Sequence, residues 1–407
     1  MSITIEGALA ILPGGIEAVD VTIEDGRIAT VGEHGGQNGA RRIDARGLVL
    51  APALVDVHGD AFERQVMPRA GVFFPMETAI LDTDRQLAAA GIATAYHAVT
   101  LSWEPGLRSV ARGRNFIETV AALTPRLTVE HRIQLRWETF AFEAEELIAD
   151  SLARAPYTPS IAFNDHTSMA LRAFGPSIQN RAFEQSPDFE IAALNDDRLL
   201  QRVAGDAKRA GLAPEAYVAR LGEIWERRGD VDGGIRRVAA AGHAAGAPML
   251  SHDDTRLETR SYYRALGARV AEFPMVFGVA EAARAKGDTI IFGAPNAVRG
   301  GSHIGSLAAA DMVEAGLCDA LASDYYYPAM LAAIARLDRE KRAPRHTLWS
   351  LVSDGPARAM GLRDRGRIEV GLRADLVLLD WPDGQTPAVL ATVCAGRMAF
   401  QAQPFEA

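Results

Sequence analysis

The sequence predicts an α/β protein: a closed (β/α)8 barrel of the TIM type, accompanied by a small β-sandwich domain formed by the N- and C-terminal segments. Three observations carry this expectation. Eight apolar, strand-like segments alternate with longer helical patterns through the middle of the chain, the signature of βα units around a parallel sheet. No Gly-rich phosphate loop or dinucleotide fingerprint follows the first of them, which argues against an open doubly wound sheet. Short β-branched runs separated by turns occupy both chain ends, and neither end has enough apolar residues to fold alone.

In chain order, residues 1–50 read as the strands "SITIEGALAIL", "AVDVTIEDGRIATVG" and "RRIDARGLVLAPA", with "EDG" as a hairpin turn. Residues 363–407 repeat that style in "GRIEVGLRADLVLLD" and "AVLATVCAGRMAF", so the two ends are expected to pair. Residues 51–362 then form the barrel, with strands in "ALVDVHGD", "GIATAYHAVT", "RIQLRWET", "SIAFNDHT", "APMLSHDD", "RVAEFPM", "TIIFGAPN" and "DALASDYY". Ser186 to Ile224 is the least periodic stretch and reads as part of a long helical insertion after the fourth strand.

Composition narrows the function. With 407 residues, 48% of them apolar, the chain can bury one large core and a smaller one. It shows neither a long uninterrupted apolar run nor a basic, cleavable leader, so a cytoplasmic location away from membranes is expected. Cys318 and Cys394 stand far apart, which suggests neither a disulfide framework nor a thiolate zinc site. Any metal must therefore use histidines and carboxylates. A net charge of -9 without a basic run argues against a nucleic-acid or anionic-membrane surface and leaves a small molecule as the expected partner; homo-oligomerisation stays open.

Nearly every predicted barrel strand ends in ligand-type side chains: His58 and Asp60, His97, Glu138, Asp165 and His166, His252 with Asp253 and Asp254, Glu272, Asn296 and Asp324. Any one alone reads as a helix cap or a satisfied polar group. In a parallel barrel, however, all these ends meet on one face, which is where active sites form. His58 and Asp60, two apart on a strand, point the same way and can reach one cation. Histidine plus carboxylate without thiolate suits zinc, manganese or iron. His166 and His252 would complete that site or supply a second ion, Glu138 is the natural bridge, and Asp324 is placed to bind metal and take a proton from water.

The HxD after the first strand, "GIATAYHAV", the isolated strand-end histidines, the "SD" of the eighth strand and "GRIEVGLRADLVLLD" together resemble the amidohydrolase superfamily over nearly the whole chain. The resemblance implies a metal-dependent hydrolase whose two ions, zinc first, are bridged by a carboxylated Lys or a Glu. The only lysines are 208, 286 and 341, which leaves Glu138, with Glu130 and Glu272 behind it. Within the superfamily, "SHDD", "AEFP", "GAPNAVRGGSHIG" and "SDYYYPA" are similar to a branch of phosphonate-metabolism diphosphatases, and "EHRIQLRWE" and "NDHTSM" more loosely so. Two positions depart from that branch: "HGDA" in the first motif, and His97 where an acidic residue is usual.

This narrower resemblance implies hydrolysis of a ribosyl 5-triphosphate with release of pyrophosphate, Asp324 and His252 being the catalytic pair. In "VRGGSH", Arg299, Ser302 and His303 with paired glycines would hold phosphate at the mouth of the seventh strand. Arg69 is a second candidate clamp, and Asp253 or Asp254 would orient His252. The alternative is opening of a cyclic amide or deamination of a small heterocycle, because the same metal platform polarises a carbonyl.

Overall fold

The structure is a computed structural model that describes residues 2–32, 41–301, 305 and 307–403. The first strands are β1 (Ile3–Leu12), β2 (Gly15–Glu24), β3 (Arg27–Gly32), β4 (Arg41–Asp44) and β5 (Val49–Pro52). The barrel strands follow as β6 (Leu54–Gly59), β7 (Ile92–Leu101), β8 (Glu130–Glu138), β9 (Ser160–Asn164), β10 (Met249–His252), β11 (Val270–Glu272), β12 (Thr289–Gly293) and β13 (Ala320–Ala322). The chain returns through β14 (Leu376–Asp380), β15 (Ala388–Cys394) and β16 (Arg397–Gln401).

All eight predicted barrel strands are present, in the order β6 to β13, each parallel to the next. They pair because each is a short apolar run buried on both faces: the inner face carries Val55, Val57, Tyr96, Ala162, Leu250, Val270, Ile291 and Ala320, the outer face packs on helices. β6 and β13 close the ring through a parallel bridge between Gly59 and Asp324, where Asp324 N–H donates to the His58 carbonyl at 2.9 Å and Asp60 N–H to the Asp324 carbonyl at 3.0 Å. The seam of the barrel therefore runs through three of the residues singled out from sequence.

The chain ends form one separate sheet, β16-β15-β14-β5-β1-β2-β3 with β4 on β1, around its own apolar cluster. The Asp25-Gly26 turn has positive φ at both residues, as the "EDG" signal requires. The sheet curls back on itself: Ile28 N–H donates to the Leu372 carbonyl and Ala374 N–H to the Gly26 carbonyl, so β3 meets the segment leading into β14.

The insertion after β9 holds the helices Asp197–Ala210 and Pro214–Trp225 ahead of Arg228–Ala244. Asp196 caps the first of these by accepting from Arg198 N–H, and Gly211 ends it in the left-handed region at φ 74°. Its buried face is Leu199, Val203, Ala207 and Ala210. The other face presents Arg202, Asp206 and Arg209 at i, i+4 and i+7 toward the barrel mouth. Among the described residues no helix is long and apolar enough to cross a membrane.

Candidate active site at the barrel mouth

On β6, Val55 and Val57 face the barrel interior, and a register shift between Asp56 and Gly59 brings His58 to the mouth beside Glu272. Asp56 is fully buried and pins the seam: it accepts from Ser323 N–H at 3.0 Å, Ser323 Oγ at 2.5 Å and His58 N–H at 3.3 Å. Gly59 is required there, because a Cβ would lie 2.5 Å from Asp56 Oδ2 and 3.1 Å from Ser323 Oγ.

Glu272, at the end of β11, is the hub. Its Oε2 lies 2.7 Å from His252 Nδ1 and its Oε1 lies 3.0 Å from both His58 Nδ1 and Gln134 Nε2. Burial alone would raise its carboxyl, yet His58 and His252 hold it below the usual carboxylate range.

β8 supplies Gln134, Arg136 and Glu138, successive inward residues. Arg136 donates to Asn164 Oδ1 at 3.1 Å and to Asp60 Oδ2 at 3.4 Å, and its Nη2 stands 3.3 Å from His252 Nε2. Glu138 accepts from the backbone N–H groups of His166 and Thr167 and from Thr167 Oγ1, and contacts His166 Nδ1 at 3.1 Å. Burial raises the Glu138 carboxyl. Burial, then Arg136 and His252, hold His166 well below the usual imidazole range, so it is neutral and able to donate a lone pair. Asp324 is pushed up by burial and then by Asp60.

Three sets of side chains bring ligand atoms within 4.8 Å of one another: His58, His252 and Glu272; His166, His252 and Asp253; His58, Asp60 and Asp324. Tetrahedral coordination at about 2.0–2.2 Å needs that kind of spacing. The donor set and the neutral His166 fit divalent cations, and Glu272 and Glu138 orient the imidazoles as carboxylates do around bound metal.

The structure thus gathers His58, Asp60, His166, His252, Asp253 and Asp324 at one mouth, with Glu138 behind His166. Asp254 lies apart, held by Ser251 Oγ at 2.5 Å and by Arg260 at 3.7 Å. Glu130 begins β8 at the opposite end of the barrel, paired with Arg132, Arg365 and Arg373. His97 faces outward into the helix layer, between Phe62 and Phe116, in a chain from its Nε2 to His131 (2.8 Å) and on to Asp84 (3.1 Å). Arg69 is exposed in a turn with Val72. Arg299 lines a cavity of about 210 Å³ with Arg136, His252 and Asp324; Ser302 and His303 lie outside the described residues. Sequence reasoning missed Asp56 and Arg136, although each stands two residues before a predicted site residue on the same strand.

Residues 217–400 match the profile described as amidohydrolase family. The chain is 31% identical over 347 residues, 83% of its length and 84% of the relative's, to alpha-D-ribose 1-methylphosphonate 5-triphosphate diphosphatase of Escherichia coli (strain K12). Among solved structures it is similar to molinate hydrolase (TM-score 0.62, 16% identity, 98% of this chain and 94% of that one) and to a D-hydantoinase (TM-score 0.61, 14% identity, 100% and 96%). With a barrel whose mouth gathers histidines and carboxylates and a relative of this identity across most of its length, the chain belongs to the amidohydrolase family and is a hydrolytic enzyme.

Proposed function

We propose that this hydrolase cleaves a phosphoanhydride of a ribosyl 5-triphosphate, alpha-D-ribose 1-methylphosphonate 5-triphosphate by its relative's name, and releases pyrophosphate. The observation that carries the reading is the 31% identity across 83% of the chain. The arginine-rich walls of the mouth support it, since an anionic substrate entering a chain of net charge -9 needs local cations.

His58, Asp60 and Asp324 would hold one divalent cation and His166, His252 and Asp253 a second, zinc first and manganese or iron as alternatives. Such ions lower the pKa of bound water and withdraw charge from phosphoryl oxygens. The chain's own residues do the rest. Asp324, whose carboxylate burial and Asp60 make more basic, takes the proton from the attacking water. The water oxygen bonds to phosphorus, the bond to the bridging oxygen breaks, and the electron pair leaves on pyrophosphate. Arg136, fixed by Asn164 and Asp60, holds positive charge beside the reacting phosphoryl group. Glu272 keeps His252 oriented through Nδ1, leaving Nε2 toward the mouth.

The test is a product assay on metal-loaded protein with the ribosyl triphosphate. Pyrophosphate appearing in step with substrate loss, and abolished by a chelator, is the expected result. Ammonia or a new carboxylate from a cyclic amide or heterocycle, with no pyrophosphate from the triphosphate, would replace this reading with the cyclic-amide one.

A further inference from the structure

Two separate cavities include members of the histidine–carboxylate cluster in their linings, one at His58, His252 and Asp324 and the other at Glu138 and His166. One, of about 210 Å³, contains Arg299 beside His252 and Asp324. The other, of about 190 Å³, reaches from His166 and Glu138 outward to Arg108, Arg172, Arg202 and Arg209.

The four arginines of the second cavity are not equivalent. Arg108 is neutralised by a two-pronged contact with Glu63 at 2.9 and 3.0 Å, and Arg209 by Glu104 and Asp206 at 3.2 and 2.9 Å. Arg172 and Arg202 have no carboxylate partner among the described residues. Their hydrogen bonds among the described residues go to backbone carbonyls, Arg172 to that of Met169 and Arg202 to those of Ala170 and Arg172, and Arg202 also stacks on the Phe174 ring at 3.9 Å. Arg172 Nε is buried without a hydrogen-bond partner. Burial, then Arg202 and Arg181, push the Arg172 guanidinium down to about 10, the mark of cations crowded together without a counter-ion.

We propose that this cavity is the seat of the leaving pyrophosphate: Arg172 and Arg202 bind the two terminal phosphoryl groups of the triphosphate, while the Arg299 cavity receives the anion at the other end of the substrate. The inference rests on the proposed phosphoanhydride hydrolysis and deepens it. A substrate with a phosphonate at one end and a triphosphate at the other is anionic at both ends, and the two cavities offer cations at both. The triphosphate carries more charge, so it matches the side with two uncompensated guanidiniums. With the terminal groups there, the phosphorus bonded to the sugar oxygen lies over the cluster between the cavities. Water then bonds to that phosphorus, its proton goes to Asp324, and the bond broken is the one to the oxygen that leaves with the terminal pair.

The experiment is a calorimetric titration of metal-loaded protein with inorganic pyrophosphate and, separately, with ribose 1-methylphosphonate. Arg172→Gln and Arg202→Gln should each weaken pyrophosphate binding by about tenfold or more, with Arg172→Lys recovering part of the loss. Arg299→Gln should leave pyrophosphate affinity unchanged and weaken the phosphonate ligand instead. Metal content and thermal midpoint of Arg172→Gln should match wild type, which a purely structural role would not allow together with lost binding. Should Arg202→Gln fail to fold for want of its two carbonyl contacts, the two Arg172 variants decide. Pyrophosphate affinity unchanged in the Arg172 variants, absent in wild type, or lost through Arg299→Gln overturns the proposal. Wild type that binds pyrophosphate through Arg172 yet releases none from the ribosyl triphosphate keeps this anion site and removes the proposed reaction.

Discussion

Replacing Asp56 tests whether the barrel seam sets the site. In Asp56→Ala, Ser323 N–H and His58 N–H lose their acceptor inside the protein, while Ser323 Oγ can rotate to seek another. A buried donor left unpaired costs about 1–3 kcal/mol, and the 3.3 Å bond from His58 belongs at the low end, so a loss of about 3–4 kcal/mol is expected. Against a typical total of about 5–15 kcal/mol the protein should still fold, but His58, Asp60 and Asp324 lose their common anchor, and metal content and turnover should fall with stability.

Asp56→Asn separates geometry from charge. Its oxygen still accepts from both N–H groups and its amide can donate to Ser323 Oγ, so about 1 kcal/mol or less should be lost. Burial raises the Asp56 carboxyl despite the three donors facing it. A group whose folded-state pKa is raised contributes stability that is full below its unfolded value, about 4, and lost as pH rises through the folded one. Asparagine has no such loss, so the stability difference must move in its favour as pH climbs. Urea unfolding of both variants and wild type at about pH 5 and about pH 8, with metal analysis alongside, reads all of this. An Ala variant as stable as wild type, or an Asn difference that moves the other way with pH, would refute the reasoning.

His252 belongs to two of the three ligand sets, so His252→Ala should lose most bound metal and turnover while circular dichroism stays unchanged; full metal occupancy would contradict the assignment. Asp324→Asn should keep its metal, because an amide oxygen still coordinates, and lose roughly 100-fold or more in kcat, the scale of a general base; unchanged kcat removes Asp324 from proton transfer. Asp84 accepts from Thr128 N–H and Oγ1 at 2.8 Å each and from Val129 N–H and His131 at 3.1 Å each, and although burial pulls its carboxyl up, these donors hold it below the usual value. Asp84→Asn should therefore destabilise by about 1–3 kcal/mol near neutrality. Because a lowered pKa gives stability that is present above the unfolded value and lost as pH falls through the folded one, the penalty should shrink below about pH 4; a penalty constant across that range would deny the carboxylate its role.

The barrel was legible because each strand lies in a compact apolar run and nearly every run ends in polar or charged side chains; even three-residue strands such as β11 and β13 sit inside recognisable segments. Glu138 was legible as a strand-end carboxylate, but not that its oxygens face the N–H groups of His166 and Thr167, since only folding brings the end of β8 against the start of the next helix. The Asp56–Ser323 pin joins residues 267 apart, a distance no local pattern spans. Arg172 and Arg202 were hidden for another reason. They sit in and beside the insertion, where forty arginines in the chain make any one of them look like ordinary solvated surface.

What aims the site residues was least visible of all, and it is a backbone device. Asp253, Phe273 and Asp324 each have a positive φ, 56°, 54° and 55°, immediately after His252, Glu272 and Ser323. A non-glycine residue in that region costs roughly 1–2 kcal/mol, and none of the three is a glycine that would have announced it. The return is a hydrogen bond made one step beyond the strand: Asp253 N–H donates to the Glu272 carbonyl, Phe273 N–H to Ile291 and Asp324 N–H to His58, at 3.0, 2.9 and 2.9 Å. Each left-handed residue thus extends the ladder to the neighbouring strand while turning the chain away from the axis. The side chain before it stays locked in the sheet, and the residue itself carries Asp253 or Asp324 over the rim. Strain at three strand ends, held by the rigid ladder beneath it, is how short strands present imidazoles and carboxylates from separate parts of the chain within 4.8 Å of one another.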